Sequence, residues 1–274
     1  MSAVAPTASV RSGGYRLTLP RTLRSEGIKL ATLRSTWWSI AITAVLTIGI
    51  AALIAFAMSS SAGPQAGAIN GITAVVMPIQ FTALLAGILG TIAVTGEYST
   101  GMIRSTLTAD PRRGRVLVAK AVVLAVFLFL ASLVMFVVAA VIVSAILGAH
   151  GGGLEWGTPD KVILPLLSAA LTMSVCALIG VSFGFLLRSG AGAIAATVGL
   201  LFVLPIMSNF FAFGGESWKW VLDAANYLPL SAAQSAILPS ATAAISAGVA
   251  FLTLGAWVAA GLLGSWVVLR SRDA

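Results

Sequence analysis

Six apolar runs, 37–58, 71–95, 121–147, 162–187, 192–213 and 246–269, divide the chain, and none contains a charged residue. Each meets the length of roughly 20 residues that a helix needs to cross about 30 Å of hydrocarbon. Ahead of the first run the pattern changes. Leu23, Leu30, Leu33 and Trp37 recur on one helical side of 21–38, while Arg21, Arg24, Lys29 and Arg34 point elsewhere. That pattern predicts a basic amphipathic helix lying in the lipid interface, with Trp37 and Trp38 at headgroup level. Residues 1–20, rich in Ser, Ala, Gly and Arg, read as a loose tail. Basic residues before an apolar run also suit a signal peptide, but 37–58 is too long for its hydrophobic region and long enough to span.

The segment 97–120 is an island of charge between the second and third runs, holding Arg104, Arg112, Arg113, Arg115 and Lys120 with Glu97 and Asp110. Such a segment cannot lie in hydrocarbon. Glu97, Gly101, Arg104 and Thr108 follow helical spacing, which predicts one polar stripe with Met102, Ile103 and Leu107 opposite it. Asp110-Pro111 reads as the start of the next helix, since Asp caps free N–H groups and Pro needs no donor there. Before the sixth run, 214–245 carries Trp218, Trp220, Tyr227, Pro229 and Pro239 around a stretch too short to cross. This suits an interfacial or partly re-entrant helix. Pro78, Pro165 and Pro205 are candidate bends in spans two, four and five. Gly180 with Gly184, and Gly261 with Ser265, are small-residue pairs that let helices approach closely.

The expected fold is therefore an all-α integral membrane protein. An interfacial segment and tail occupy 1–36, a six-span domain 37–269, and a short tail 270–274. A composition 59% apolar and 9% charged excludes a soluble domain of this size. The net charge of +8 reflects sidedness and not nucleic acid. Fourteen of the sixteen Lys and Arg residues fall on one side of the six spans, against Lys161 and Lys219 on the other. The positive-inside rule then puts both termini in the cytoplasm.

The remaining chemistry is sparse. Cys176 sits alone in an apolar run and reads as packing. His150 with Glu155 and Asp160 makes a poor metal site, lacking a second nitrogen or sulfur ligand. Gly180-Val-Ser-Phe-Gly184 matches G-x-S-x-G, yet it lies in a span and His150 is expected at the span's far end, so no nucleophile is formed. Gly190-Ala-Gly-Ala-Ile-Ala195 lacks the strand that a dinucleotide loop requires. No G-x-x-x-x-G-K-[ST] occurs, and no ionisable group lies deep within a span. Transport energy would have to arrive from another polypeptide.

The polar loop resembles that of ABC-2 type transporter permeases, through Glu97-Tyr98, Gly101, Ile103-Arg104, Pro111-Arg112-Arg113 and Ala119-Lys120. The resemblance implies a dimeric plasma-membrane exporter permease, non-enzymatic itself, that binds no cofactor. ATP and Mg²⁺ would be held by a separate ATPase, and the loop would form a coupling helix seated on that ATPase. Glu97, Tyr98, Gly101 and Arg104 would carry the coupling, with Arg112, Arg113 and Arg115 against headgroups or the ATPase. Spans two and five of the paired subunits would line the path, which nominates Gln80, Thr82, Met207, Asn209 and Phe211. The apolar path suits a hydrophobic or amphipathic cargo. A membrane protein that binds a partner without transporting anything is the alternative.

Overall fold

The computed structural model describes residues 18–61, 67–109, 112–149, 153–239 and 243–271, and the regular structure among them is entirely helical. Six helical stretches are long and apolar enough to cross a membrane: Arg34–Ser60, Gly71–Ser99, Arg113–Gly148, Pro159–Leu187, Gly190–Phe210 and Ala247–Ser271. The expected all-α, six-span architecture is present. An amphipathic helix, α1 (Leu19–Thr32), precedes the first span, α2 (Arg34–Ser61). It is shorter than the 21–38 expected, because the chain turns at Leu33, whose backbone is extended. Trp37 and Trp38 consequently belong to the start of α2, both exposed, with the Trp37 indole donating to Ala31 O at 2.9 Å.

The second span is broken where Pro78 falls. Helix α3 (Gly67–Val76) stops, and α4 (Ile79–Ser99) starts with Pro78 at its N-cap, where the missing N–H costs nothing. The short α5 (Met102–Ala109) then leads to α6 (Arg113–Gly148), whose 36 residues extend about 54 Å at 1.5 Å each. That exceeds the hydrocarbon by several turns. Helix α7 (Pro159–Leu187) continues as one helix through Pro165.

The fifth span is composite. Helix α8 (Gly190–Val198) widens into a π-turn, Gly199–Val203, before α9 (Leu204–Phe210). Pro205 offers no N–H to the turn before it, and the ladder loosens so that Leu204 donates to Gly199 O, five residues back. Two 3₁₀ turns, α10 (Lys219–Ala225) and α11 (Pro229–Ile237) follow, then α12 (Ala247–Ser271). Helix α11 has nine residues, too few to cross. It packs against α7 and α12 with Leu230, Ala232, Ala233 and Ile237 buried.

Helix α7 is the axis. Of its most apolar window 72% is buried, against 22% for the first and fifth spans and 17% for the sixth. Those three leave broad apolar faces for lipid or another chain. What lets α7 approach α4 is the absence of side chains: a methyl on Gly180 would meet the Gly87 carbonyl, and one on Gly90 the Ala177 carbonyl. Thr91 is fully buried in this seam and bonds Gly87 O at 3.1 Å, Gly180 O at 3.3 Å and Thr197 Oγ1 at 3.0 Å, tying α4, α7 and α8 together. The second small pair serves α12, since Ser265 Oγ lies 3.2 Å from Ser182 O and a methyl on Gly261 would meet Ser182 Oγ at 2.6 Å. Both small-residue pairs thus mark close helix contacts.

Gly180→Val is expected to cost at least about 2 kcal/mol through backbone displacement. The readout is a lower melting temperature in detergent, with Gly49→Ala, whose added carbon meets nothing within 4 Å, leaving it unchanged.

Candidate functional site

The segment joining α4 to α6 is not the single helix its spacing predicts. Helix α4 ends at Ser99, and Gly101 takes a φ of +72°, a left-handed conformation that glycine adopts freely. The expected stripe is therefore divided. Glu97 stays on α4 and turns inward, while Arg104 and Thr108 lie exposed on α5. Ile103 is buried beneath α5, but Met102 is exposed. Ser105, Thr106 and Thr108 return their hydroxyls to carbonyls of their own helix. The Leu107 side chain and Asp110-Pro111 lie outside the described residues. Arg112 occupies the N-cap of α6 and is exposed, and Arg115 is half-buried one turn on.

Beneath α5 lies a feature the sequence reading missed. Glu26 of α1, 4% exposed, faces Glu97 and Lys120, each 5% exposed. Lys120 Nζ donates to Glu26 Oε2 at 2.8 Å, Glu97 Oε1 at 2.9 Å and Ala93 O at 3.3 Å. Lys29 Nζ donates to Glu26 Oε1 at 2.8 Å and Glu97 Oε1 at 3.0 Å. Two carboxylates and two ammonium groups from α1, α4 and α6 thus form one neutral bracket. Lys29, expected on the solvent side of the amphipathic helix, turns inward to complete it. Burial pushes the Glu26 carboxyl up, yet the Lys120 and Lys29 ammonium groups outweigh that and hold it below the ordinary carboxylate range. Burial likewise lowers Lys29, but its hydrogen bonds to Glu26 and Glu97 raise it overall. Glu97 Oε2 is buried and has no partner among the described residues.

Around the bracket, basic side chains secure the last span. Arg113 Nη1 donates to Leu269 O at 2.7 Å and Arg188 Nη2 to Val268 O at 3.4 Å. Both satisfy carbonyls in the last turn of α12, where cations are favoured. Arg113 is therefore engaged with the protein as well as near the surface. Arg188 also lies 5.6 Å above the Tyr98 ring, which meets Phe185 edge-on at 6.4 Å. Tyr98 is half-buried in this cluster and does not project outward.

The candidate path residues are dispersed within the chain. Gln80 lines a cavity of about 740 Å³ between α2, the α3–α4 break and α11, opposite Gln234. Thr82 is buried and bonds Pro78 O and Ile79 O on its own helix. Met207 and Asn209 are exposed on α9, with the Asn209 amide donating to Pro205 O at 2.9 Å. Phe211 packs against Trp218 with ring centroids 4.9 Å apart and planes tilted by 40°. Elsewhere, Glu155 pairs with Lys161 at 2.6 Å, His150 lies outside the described residues, and Ser182 bonds Leu178 O inside α7.

Helices and a charged base of this kind define a multi-pass membrane protein with its polar machinery at one end. The chain belongs to the ABC-2 family of transporter proteins, whose family model matches residues 22–214, from α1 through the fifth span. It is a membrane permease of that family, whose members generally partner an ATPase subunit. No curated protein is significantly similar to it.

Removing Lys120 as Lys120→Met would leave two buried carboxylates sharing the one ammonium of Lys29, an unmatched charge that costs about 3–5 kcal/mol, read as a lower melting temperature and faster amide exchange in α1. The wild-type bracket has a defined pH window. Glu26 is depressed, so its contribution is complete above the ordinary carboxylate value of about 4.3 and lost as pH falls through the lower folded value. Lys29 is raised, so its contribution is complete below about 10.4 and lost as pH rises through the higher folded value. Exchange protection of α1 should be flat between those limits and fall outside them.

Proposed function

We propose that this permease is the membrane half of an ATP-driven exporter, working as a pair of permease subunits in the plasma membrane with both termini in the cytoplasm. A separate ATPase holds ATP and Mg²⁺ and seats α5 on its surface. Closure of that ATPase pushes α5, and the pair shifts between inward- and outward-facing states. The apolar faces left open on the first, fifth and sixth spans suit a hydrophobic or amphipathic cargo.

The observation that carries this reading is the mounting of α5. It hangs between two spans, α4 and α6, with Arg104 and Thr108 exposed and Gly101 as its turn. Its base is fixed by the bracket, so a push on α5 passes into the spans and is not absorbed by a swinging α1. Arg112 and Arg115 extend the basic surface beside Arg104, which suits an acidic groove on the ATPase or anionic headgroups. Glu97 and Tyr98 act from inside, as the support of the lever. The absence of a phosphate-binding loop in the sequence is consistent with energy coming from another chain.

Arg104→Glu reverses an exposed charge without touching the bracket. Co-purification of the ATPase should be lost, and ATP-dependent flux in vesicles should fall by about tenfold or more, as for a charge reversed within a complementary contact. Full assembly and unchanged flux in that variant would remove α5 from the coupling role.

A further inference from the structure

The cavity of about 740 Å³ between α2, the α3–α4 break and α11 falls within the size range of small-molecule sites. Ile50, Pro78 and Phe81 give it apolar walls, and Gln80, Gln234 and Ser235 give it polar ones. Among the described residues no charged side chain lines it. We infer that it binds an uncharged single-chain amphiphile whose head both donates and accepts hydrogen bonds. The Gln80 and Gln234 amides hold the head, and the chain lies along Ile50 and Phe81.

The two amides decide the head. Each has two N–H donors and a carbonyl acceptor, and among the described residues neither they nor the Ser235 hydroxyl makes a side-chain hydrogen bond. They are also within reach. Gln234 is exposed, Gln80 and Ser235 are half-buried, and the polar atoms of those two are not sealed off. Along α4, Gln80 stands about 26 Å from Glu97 at 1.5 Å per residue, just inside the far edge of hydrocarbon roughly 30 Å thick. An uncharged head can follow its chain to this depth, whereas an ion would leave water for a cavity with no counter-ion. A hydrocarbon chain alone would cover Ile50 and Phe81 but leave the amides unmatched, which is costly. Water alone would satisfy the amides and leave the apolar walls wet. An amphiphile with an uncharged donor-and-acceptor head meets both demands.

This inference does not rest on the transport reading, and its test involves no flux. The full-length chain in phosphatidylcholine nanodiscs is irradiated with a monooleoylglycerol analogue carrying a diazirine in its chain, and the labelled peptides are located by mass spectrometry. Label should fall on the segments bordering the cavity. Unlabelled monooleoylglycerol should displace it at about one tenth or less of the concentration needed by methyl oleate, which has the same acyl chain and no donor, the scale of one or two neutral hydrogen bonds. Oleyl sulfate and oleyltrimethylammonium, with similar chains and fixed charges, should compete as poorly as methyl oleate or worse. Because the amides hold nothing within the described residues, Gln80→Leu with Gln234→Leu should keep the wild-type melting temperature and lose the preference for monooleoylglycerol over methyl oleate. Label spread evenly over the lipid-facing helices, equal displacement by the four amphiphiles in the wild type, or an undiminished preference in the folded double variant would overturn the assignment.

Discussion

Charges that leave water together at the edge of a bilayer must neutralise one another or lose their charge, and this constraint sets the basic end of the molecule. Glu26, Lys29, Glu97 and Lys120 come from three helices, and each carboxylate is met by both ammonium groups. An isolated buried ion carries a penalty of several kcal/mol, so the arrangement is strongly selective for one docking of α1. Shifting α1 by a residue would separate the partners. The bracket specifies position more than it adds stability, since well-packed apolar groups in its place could hold equally well.

From that fixed point the rest of the fold divides into a rigid half and an adaptable half. Helices α4 and α7 touch through backbone along the Gly87, Gly90, Gly180 and Gly184 seam, and Thr91 bonds across it. Close contact of this kind has no slack. The fifth span is the opposite case, since it contains a π-turn and a proline and leaves most of its surface uncovered. The first and last spans are likewise peripheral. In the proposed coupling, motion that changes access across the membrane falls to these elements, while α4, α6 and α7 pass on displacement from α5.

Much of the architecture was legible because hydrocarbon imposes a simple length and charge rule. The spans, the interfacial helix and the small-residue contacts all follow from local patterns. The site was less legible, for two physical reasons. Helical spacing over 97–108 says nothing about a single residue in the left-handed region, and Gly101 divides the stripe so that Glu97 and Arg104 have separate surroundings. Pairing across the fold is also invisible in local spacing. Glu26 was passed over although it sits three residues from Lys29 amid basic neighbours, and its partner Lys120 is 94 positions away. Arg113, read as a surface charge, bonds a carbonyl 156 residues later. The available signal was an acid on an otherwise basic amphipathic helix, which asks for a buried cation.

The central claim is that the bracket couples α1 to α4 and α6 as one body. A double-mutant cycle on Glu26→Gln and Lys120→Met tests it most directly, with amide exchange of α1 in the full-length chain as the measure of docking. The account predicts strong non-additivity: each single variant loosens α1 by leaving a charge unmatched, and the double variant loosens it much less than the sum. Additive effects would mean that the two side chains act independently, and would contradict the account.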